Sequence, residues 1–583
     1  MAMHGRRTRL RWRQEAIAMV LALATGLAAA VAAGKQQQTT SKAADGSVSM
    51  IATTRAAPAS APPGVNITAI CSSTPYPSAC HTALSSSVSR SPKDPFADSV
   101  QFALARVASA RALARNLSLA SSSRARRRRV ALPPSGMDDC AELLDISHGQ
   151  LGDALAAASA HDATTWLSAA LTNQGTCGDS LAAVPASAGR EGVRRRVGAL
   201  AEFIGTALAL HTNLKGGSET TPAAPPPSAA STPSSSPRNR TFPSWVSDRD
   251  MKLLESAAPA GMIPDAVVAL DGSGTHRTIG EAIAAVTTAM PPLGSSEVSV
   301  GTGRKVIYVK AGRYEESVRI SKKQRNVMLM GDGKGKTVIV GHRSAADGYT
   351  IYSSATVAAM GSGFIAKGLT IINDAGSGKG QAVALLVGGD LSVVYQCDIA
   401  AYQDTLYVHS NRQFYAEDSI SGTVDFIFGN SAVVIQNCDI HPRKPRSEQK
   451  DTITAQGRTD PNQNTGISIH KCRISGTSDL GETMVYLGRP WKKYSRTVVM
   501  DSSLDGSITP AGWLEWSGQF AFSTLYYGEY GNTGPGSGTS GRVKWSGVHT
   551  SLSTVDATRF TVRDFISGDS WLGDTGVRYT SGL

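Results

Sequence analysis

The sequence contains no Cys/His cluster with zinc-ligand spacing and no complete phosphate-binding loop, so neither a structural zinc site nor a nucleotide fold is expected. The nearest approach to such a loop is Gly331-Asp332-Gly333-Lys334-Gly335-Lys336-Thr337, and it fails on spacing because the position five before Gly335 is Met330. After Ala33 there is also no apolar run long enough to cross a bilayer. A basic second half is missing too. The net charge is +12, yet residues 255–583 hold 31 Lys+Arg against 30 Asp+Glu, while the residues before them hold 27 against 16. That excess sits in Arg6–Arg13, Arg124–Arg129 and Arg194–Arg196. Such runs read as solvated loops, protease sites or contacts for acidic polysaccharide, and no nucleic-acid partner is expected.

What is present begins with a basic segment (Arg6, Arg7, Arg9, Arg11, Arg13), followed by uncharged Ala16–Ala33 with small residues Ala30-Val31-Ala32 near its end. Residues 1–34 therefore read as a secretory signal peptide or an N-terminal anchor. Sequons at Asn66, Asn116 and Asn239 fit a secreted glycoprotein. So do the cysteines: Cys71, Cys80, Cys140 and Cys177 form two expected bridges, Cys71–Cys80 and Cys140–Cys177. Cys438–Cys472 is the expected third, leaving Cys397 as a buried thiol.

At 583 residues the chain needs more than one core. Apolar residues recur at helical spacing at Val100, Ala103, Leu104, Val107, Ala110, Leu113 and Leu117, then at Cys140, Leu143, Leu151 and Leu155, then at Val197, Leu200, Ile204 and Leu208. This predicts an antiparallel four-helix bundle over residues 60–214. Residues 215–254, with Pro225-Pro226-Pro227 and Ser234-Ser235-Ser236, read as a linker. Beyond it, short strands are predicted at Lys305–Lys310, Asn326–Gly331, Thr337–Gly341, Gln381–Val387 and Gly466–His470. Tyr395-Gln396-Cys397-Asp398, Tyr415-Ala416-Glu417-Asp418 and Ile435-Gln436-Asn437-Cys438 recur at about 20 residues. Residues 255–583 are therefore expected to form a right-handed parallel β-helix.

The same repeat aligns Tyr402-Gln403-Asp404-Thr405-Leu406-Tyr407 with Thr423-Val424-Asp425-Phe426-Ile427-Phe428. On successive coils the two aspartates stack about 4.8 Å apart. Carboxylates that close cannot both ionise cheaply, which yields one proton donor and one anion. Gln381, one coil earlier, and Gln403 can supply amide donors, Arg489 can fix a carboxylate, and Trp491 and Trp513 can stack on sugar faces. The competing readings are turn aspartates, coil-stacking amides, a structural ion pair and core tryptophans.

Several blocks in order resemble one family: Gly312–Glu316, Gln381–Leu385, Tyr402–Tyr407, Gly422–Gly429, Leu487–Trp491 and Tyr527–Asn532 are similar to plant pectinesterases over residues 260–583. Cys71–Cys80 and Trp166–Asn173 resemble the invertase/pectin methylesterase inhibitor domain. The resemblance implies hydrolysis of galacturonate methyl esters in cell-wall pectin by a secreted monomer without metal or organic cofactor. It implies Asp425 as nucleophile, Asp404 as acid then base, Gln381 and Gln403 as oxyanion donors, and Arg489 and Trp491 at the substrate. It also implies a proteinaceous inhibitor and a subtilisin-like processing protease as partners. Two positions depart from the family pattern, Gly380 where it has His and Leu386 where it has Arg. The processing region reads Phe242-Pro243-Ser244-Trp245 and then Asp248–Leu254 without a dibasic pair, so Arg126–Arg129 is an alternative nick site. A β-helix glycosidase or lyase, and a non-enzymatic inhibitor acting through the helices, are the competing functions.

Overall fold

Two periodicities, helical and then coil-like, build two kinds of structure in the computed structural model, which describes residues 66–86, 94–128, 135–216, 263–287 and 303–583. Segment 1–34, most of the 215–254 linker, Asn239 and the side chains of Arg124–Arg129 lie outside the described residues.

Helices α1 (Ile67–Ser72) and α2 (Pro77–Ser85) form a short hairpin clipped by Cys71–Cys80. Four long helices follow, α3 (Pro95–Arg128), α4 (Gly136–Leu155), α5 (Ala160–Ala182) and α6 (Ala188–Gly216). Ser135 starts α4 with a capping box to Asp138, and the Ser159 hydroxyl caps α5 at the Asp162 N–H, satisfying donors that a helix start otherwise leaves unpaired. Val100, Val107, Leu143, Leu151, Ile204 and Leu208 are buried between these helices, as their spacing predicts, whereas Leu155, the last residue of α4, is exposed. Cys140–Cys177 ties α4 to α5, and closing that 37-residue separation is worth about 4 kcal/mol on a chain-entropy argument.

Strand Ala266–Val268 precedes α7 (Ile279–Thr287), and together with the strands that follow the helix it forms three sheets of eleven, eight and seven strands, every paired neighbour parallel. A stack of three parallel sheets is the form of a parallel β-helix. One strand per coil enters each sheet, and equivalent residues stack. Ile339, Ile371, Ile399, Ile420, Ile440, Ile474 and Leu504 form one continuous ladder through the eight-stranded sheet, all buried. Each such side chain contributes about 1.5–3 kcal/mol by leaving water. The predicted strands at Thr337–Gly341 and Gly466–His470 are as observed, whereas the Gln381 segment forms a strand only over Leu385–Val387.

Two expectations are corrected. Tyr395 pairs with Ala416, not Tyr415, so the first step of the repeat is 21 residues and Gln396, Glu417 and Asn437 share a corner at φ near 54–56°. These are non-glycine residues in the left-handed region, a conformation that side-chain type alone does not announce. The predicted Cys438–Cys472 bridge is absent, and both thiols, like Cys397, are free and buried. The cause is packing: Cys438 Sγ donates to Gln436 O at 3.3 Å and Cys472 Sγ to Ile435 O at 3.3 Å, each thiol satisfied within the coil interior.

Candidate active site

The seven-stranded sheet carries the predicted carboxylates at the entry to two adjacent strands. Leu406 pairs with Ile427, a 21-residue step that places Asp404 level with Asp425, and the Asp404 N–H donates to Val424 O at 3.1 Å. Both adopt positive φ, 63° and 54°, and a register irregularity follows Val424. Backbone strain of this kind is held only where surrounding contacts over-determine it.

Those contacts are strong at Asp425. Arg489 Nε donates to Oδ1 at 2.8 Å and Nη2 to Oδ2 at 2.7 Å, a bidentate fork. Thr452 Oγ1 donates to Oδ1 at 2.7 Å and accepts the Asp425 N–H at 2.9 Å. Burial opposes the Arg489 charge, but its bonds to Asp425, and the fields of Asp425 and Asp404, hold it above the usual guanidinium range. Asp404 has the opposite environment. Burial pushes its carboxyl well above the carboxylate range, the neighbouring Asp425 charge adds to the shift, and Arg489 acts against both. The pair therefore holds one proton donor beside one clamped acceptor.

Gln403 precedes Asp404, and its carbonyl accepts the Ala382 N–H at 3.1 Å, which brings Gln381 alongside on the preceding coil. Both glutamines are half-buried, and their amides make no side-chain hydrogen bond among the described residues. Trp491 is half-buried against Phe428, with ring centroids 6.0 Å apart. Trp513 is misassigned by the sugar-stacking expectation: it is 1% exposed, stacks on Tyr527 at 4.2 Å and donates to Glu529. The exposed ring is Trp516, with the Arg489 guanidinium 4.5 Å above it. Thr452 and Trp516 were not singled out by sequence. A repeat search past Asp425 misses Thr452 because a longer loop stretches that coil step to 27 residues.

The outer face of the same strands is covered by helices. Tyr407, Phe428 and Ala455 share one apolar cluster with Leu143, Leu167 and Leu171. Around it Thr176 Oγ1 meets His409 Nε2 at 2.9 Å, Asn430 donates to Thr172 at 2.8 Å, and Arg412 bridges Asp162 (2.8 Å) and Asp390 (2.7 Å). Burial drives the His409 pKa down to about 3, so this ring is neutral. Among the described residues no group of three or more His, Cys, Asp or Glu is placed to hold a metal ion, and no helix is long and apolar enough to cross a membrane.

Comparison with known proteins gives the family. The family described as Pectinesterase matches residues 265–569, and the family described as Plant invertase/pectin methylesterase inhibitor matches residues 65–210. The chain belongs to the pectinesterase family. It is 50% identical to a protein of Arabidopsis thaliana named "Probable pectinesterase/pectinesterase inhibitor 35", across 84% of this chain and 88% of the relative. "Pectinesterase 1" of Citrus sinensis is 47% identical across 79% and 78%. The solved structure "Pectin methylesterase from Carrot" is 54% identical, covering 55% of this chain and 98% of that one with a TM-score of 0.52. The pectinesterase domain is accordingly a carboxylic ester hydrolase, and Asp404 and Asp425 lie within the matched residues.

Proposed function

We propose that the pectinesterase domain hydrolyses methyl esters of galacturonate in cell-wall pectin, with Asp425 as nucleophile. The observation that carries this reading is the asymmetry of the pair, an Asp425 gripped by Arg489 beside an Asp404 held protonated. Asp425 attacks the ester carbonyl, Gln381 and Gln403 donate to the oxyanion, and Asp404 protonates the departing methoxide. Asp404 then takes a proton from water as the acyl-enzyme opens, leaving the free acid and methanol. Trp491, and the exposed Trp516, flank the sugar chain.

The β-helix is right-handed in this reading, residues 60–214 form an antiparallel four-helix inhibitor-like bundle, and 215–254 link and are processed before the mature monomer acts. Residues 1–34 direct the chain to the secretory route and the cell wall. Glycans are carried at Asn66 and Asn116; Asn116 is exposed on α3, whereas the Asn66 side chain is engaged in capping α1. The helices cover Tyr407 and Phe428, next to the catalytic pair, so the bundle restricts polymer access until a protease separates it.

Methanol release from highly methylated pectin, by purified protein before and after proteolytic nicking within 215–254, tests the reading. Release by wild type and none by Asp425→Ala is the expected result, and full release by Asp425→Ala overturns it. New reducing ends in place of methanol would assign a glycosidase.

A further inference from the structure

Resting on the esterase reading, we infer that Glu529 and Arg542 are positioning residues for the reaction: their buried pair fixes the segment Pro510–Trp516, and that segment aims the Arg489 guanidinium at Asp425. Glu529 belongs to the strand Tyr526–Tyr530, inside one of the blocks by which the sequence resembles its family. No step of the reaction derived above uses it.

The Arg542 and Glu529 side chains are 1% and 3% exposed, and both arms of their fork are made, Arg542 Nε to Glu529 Oε1 at 2.9 Å and Nη2 to Oε2 at 3.0 Å. Ions this deep gain little stability over apolar side chains of equal volume, so what they add is the direction of their bonds. Those bonds lead to one segment. Arg542 Nη1 donates to Pro510 O at 3.1 Å, the adjoining Val543 N–H donates to Ala511 O at 3.1 Å, and Trp513 Nε1 donates to Glu529 Oε1 at 3.3 Å. Gly512, at φ 69°, lies so close that a Cβ there would run into the Arg542 side chain.

The segment in turn lies along Leu487-Gly488, the residues just before Arg489. Leu487 N–H donates to Gly512 O at 2.7 Å and Leu514 N–H to Gly488 O at 3.0 Å, a parallel bridge that sets Trp513 beside Gly488. Trp513 is buried, stacked on Tyr527 at 4.2 Å, and three residues later Trp516 emerges against the Arg489 guanidinium, 4.5 Å from it. Arg489 is thus held through its backbone on one side and an aromatic face on the other, and both supports belong to the segment that Glu529 and Arg542 fasten. A long side chain with several free rotors makes a two-armed fork only when its plane is fixed in advance.

The test is an E529Q/R542M variant, which keeps an acceptor for Trp513 and removes both charges together, so that no lone charge stays buried. With folding checked by denaturant unfolding, kcat on methylated pectin should fall about tenfold with KM nearly unchanged, the usual result of misplacing a catalytic group. Asp425 and Arg489 are the charges that act on the Asp404 carboxyl, and Arg489 opposes its upward shift. A guanidinium no longer aimed at the pair should therefore raise the alkaline limb of the pH profile, and with it the Asp404 titration read from its infrared band, assigned with D404N. In an R489Q background the same double substitution should cost less than about twofold, because no guanidinium is left to aim. W513F keeps the stack on Tyr527 and loses only the bond to Glu529; it should show the same pattern at roughly two- to fivefold, and it carries the test if E529Q/R542M does not fold. Unchanged kcat, an unmoved alkaline limb, or an equal loss with and without Arg489 overturns the proposal. If nicked wild type releases no methanol the esterase reading itself fails, and the Asp404 titration alone then decides whether the pair aims Arg489.

Discussion

Replacing Arg489 by Gln removes a charge and half of a fork while leaving a polar side chain of similar length. The Asp425 side chain is 8% exposed and that of Arg489 is 23% exposed. Breaking a buried pair by removing one partner costs about 3–5 kcal/mol, and partial exposure of Arg489 favours the lower end, about 3 kcal/mol. At about 1.4 kcal/mol per factor of ten, losing a comparable share of the fork's grip on the nucleophile corresponds to about a hundredfold. Methanol release is therefore expected to fall about a hundredfold. The alkaline limb should rise as well, because Arg489 is the influence that opposes the upward shift of Asp404. Methanol release measured across pH, with thermal unfolding to show that the variant is folded, decides the matter. A uniform loss at every pH, with the alkaline limb in place, would refute the electrostatic role and leave Arg489 as a mere spacer.

Thr452→Val removes the donor to Asp425 Oδ1 and the acceptor for its N–H, so kcat should fall about ten- to a hundredfold with KM nearly unchanged; steady-state kinetics giving a change in KM alone would contradict the assignment. Burial raises the Asp418 carboxyl to about 8, partly offset by the Cys397 N–H that donates to it. Since the folded value lies above the unfolded one near 4, its stabilising contribution is complete below about pH 4 and is lost as pH rises through 8. Between pH 5 and 7 wild type should lose about 3 kcal/mol that Asp418→Asn does not, and parallel denaturant midpoints for the two proteins would exclude this. Thiol titration of the unfolded, unreduced protein over the described cysteines should find three, Cys397, Cys438 and Cys472, whereas a count of one would restore the Cys438–Cys472 bridge.

The coil was readable because its side chains repeat: the isoleucine ladder and the paired Asp404 and Asp425 segments sit at spacings that a parallel stack imposes. The helices were readable for the same reason at a different period, Val100, Val107 and Ile204 all being buried. What escaped depends on backbone or loop length and not on residue class. Gln396 and Glu417 adopt left-handed corners that their side chains do not require, which put the alignment off by one residue. Cys438 and Cys472 stand close on adjacent coils, but proximity in a ladder also suits two thiols that each find a carbonyl. Trp513 and Trp516 differ by three positions and end on opposite sides of the boundary between core and surface, an outcome fixed by the buried Arg542–Glu529 pair that receives Trp513.

The same repeat explains why two identical side chains can take different parts in the proposed reaction. A bare stack of carboxylates would be nearly degenerate, each as ready as the other to keep the proton. Here the donors break the tie: three side-chain hydrogen bonds converge on Asp425, two from Arg489 and one from Thr452, while among the described residues none reaches the Asp404 carboxyl. Donors stabilise the charged form, and burial without donors stabilises the neutral form, so the proton settles on Asp404. The third coil completes the arrangement by departing from the pattern. Its longer loop brings a hydroxyl, Thr452, beside Asp425 in place of a third stacked carboxylate. The adjacent Asp451 carboxyl is buried and, with burial as the chief cause and the Thr452 backbone N–H acting against it, is raised well above the ionising range of an ordinary aspartate. A charged group at the position of Thr452 would compete for Arg489 and repel the nucleophile, whereas a hydroxyl adds a donor at no cost in charge, which is why the loop that breaks the repeat belongs to the site as much as the repeat does.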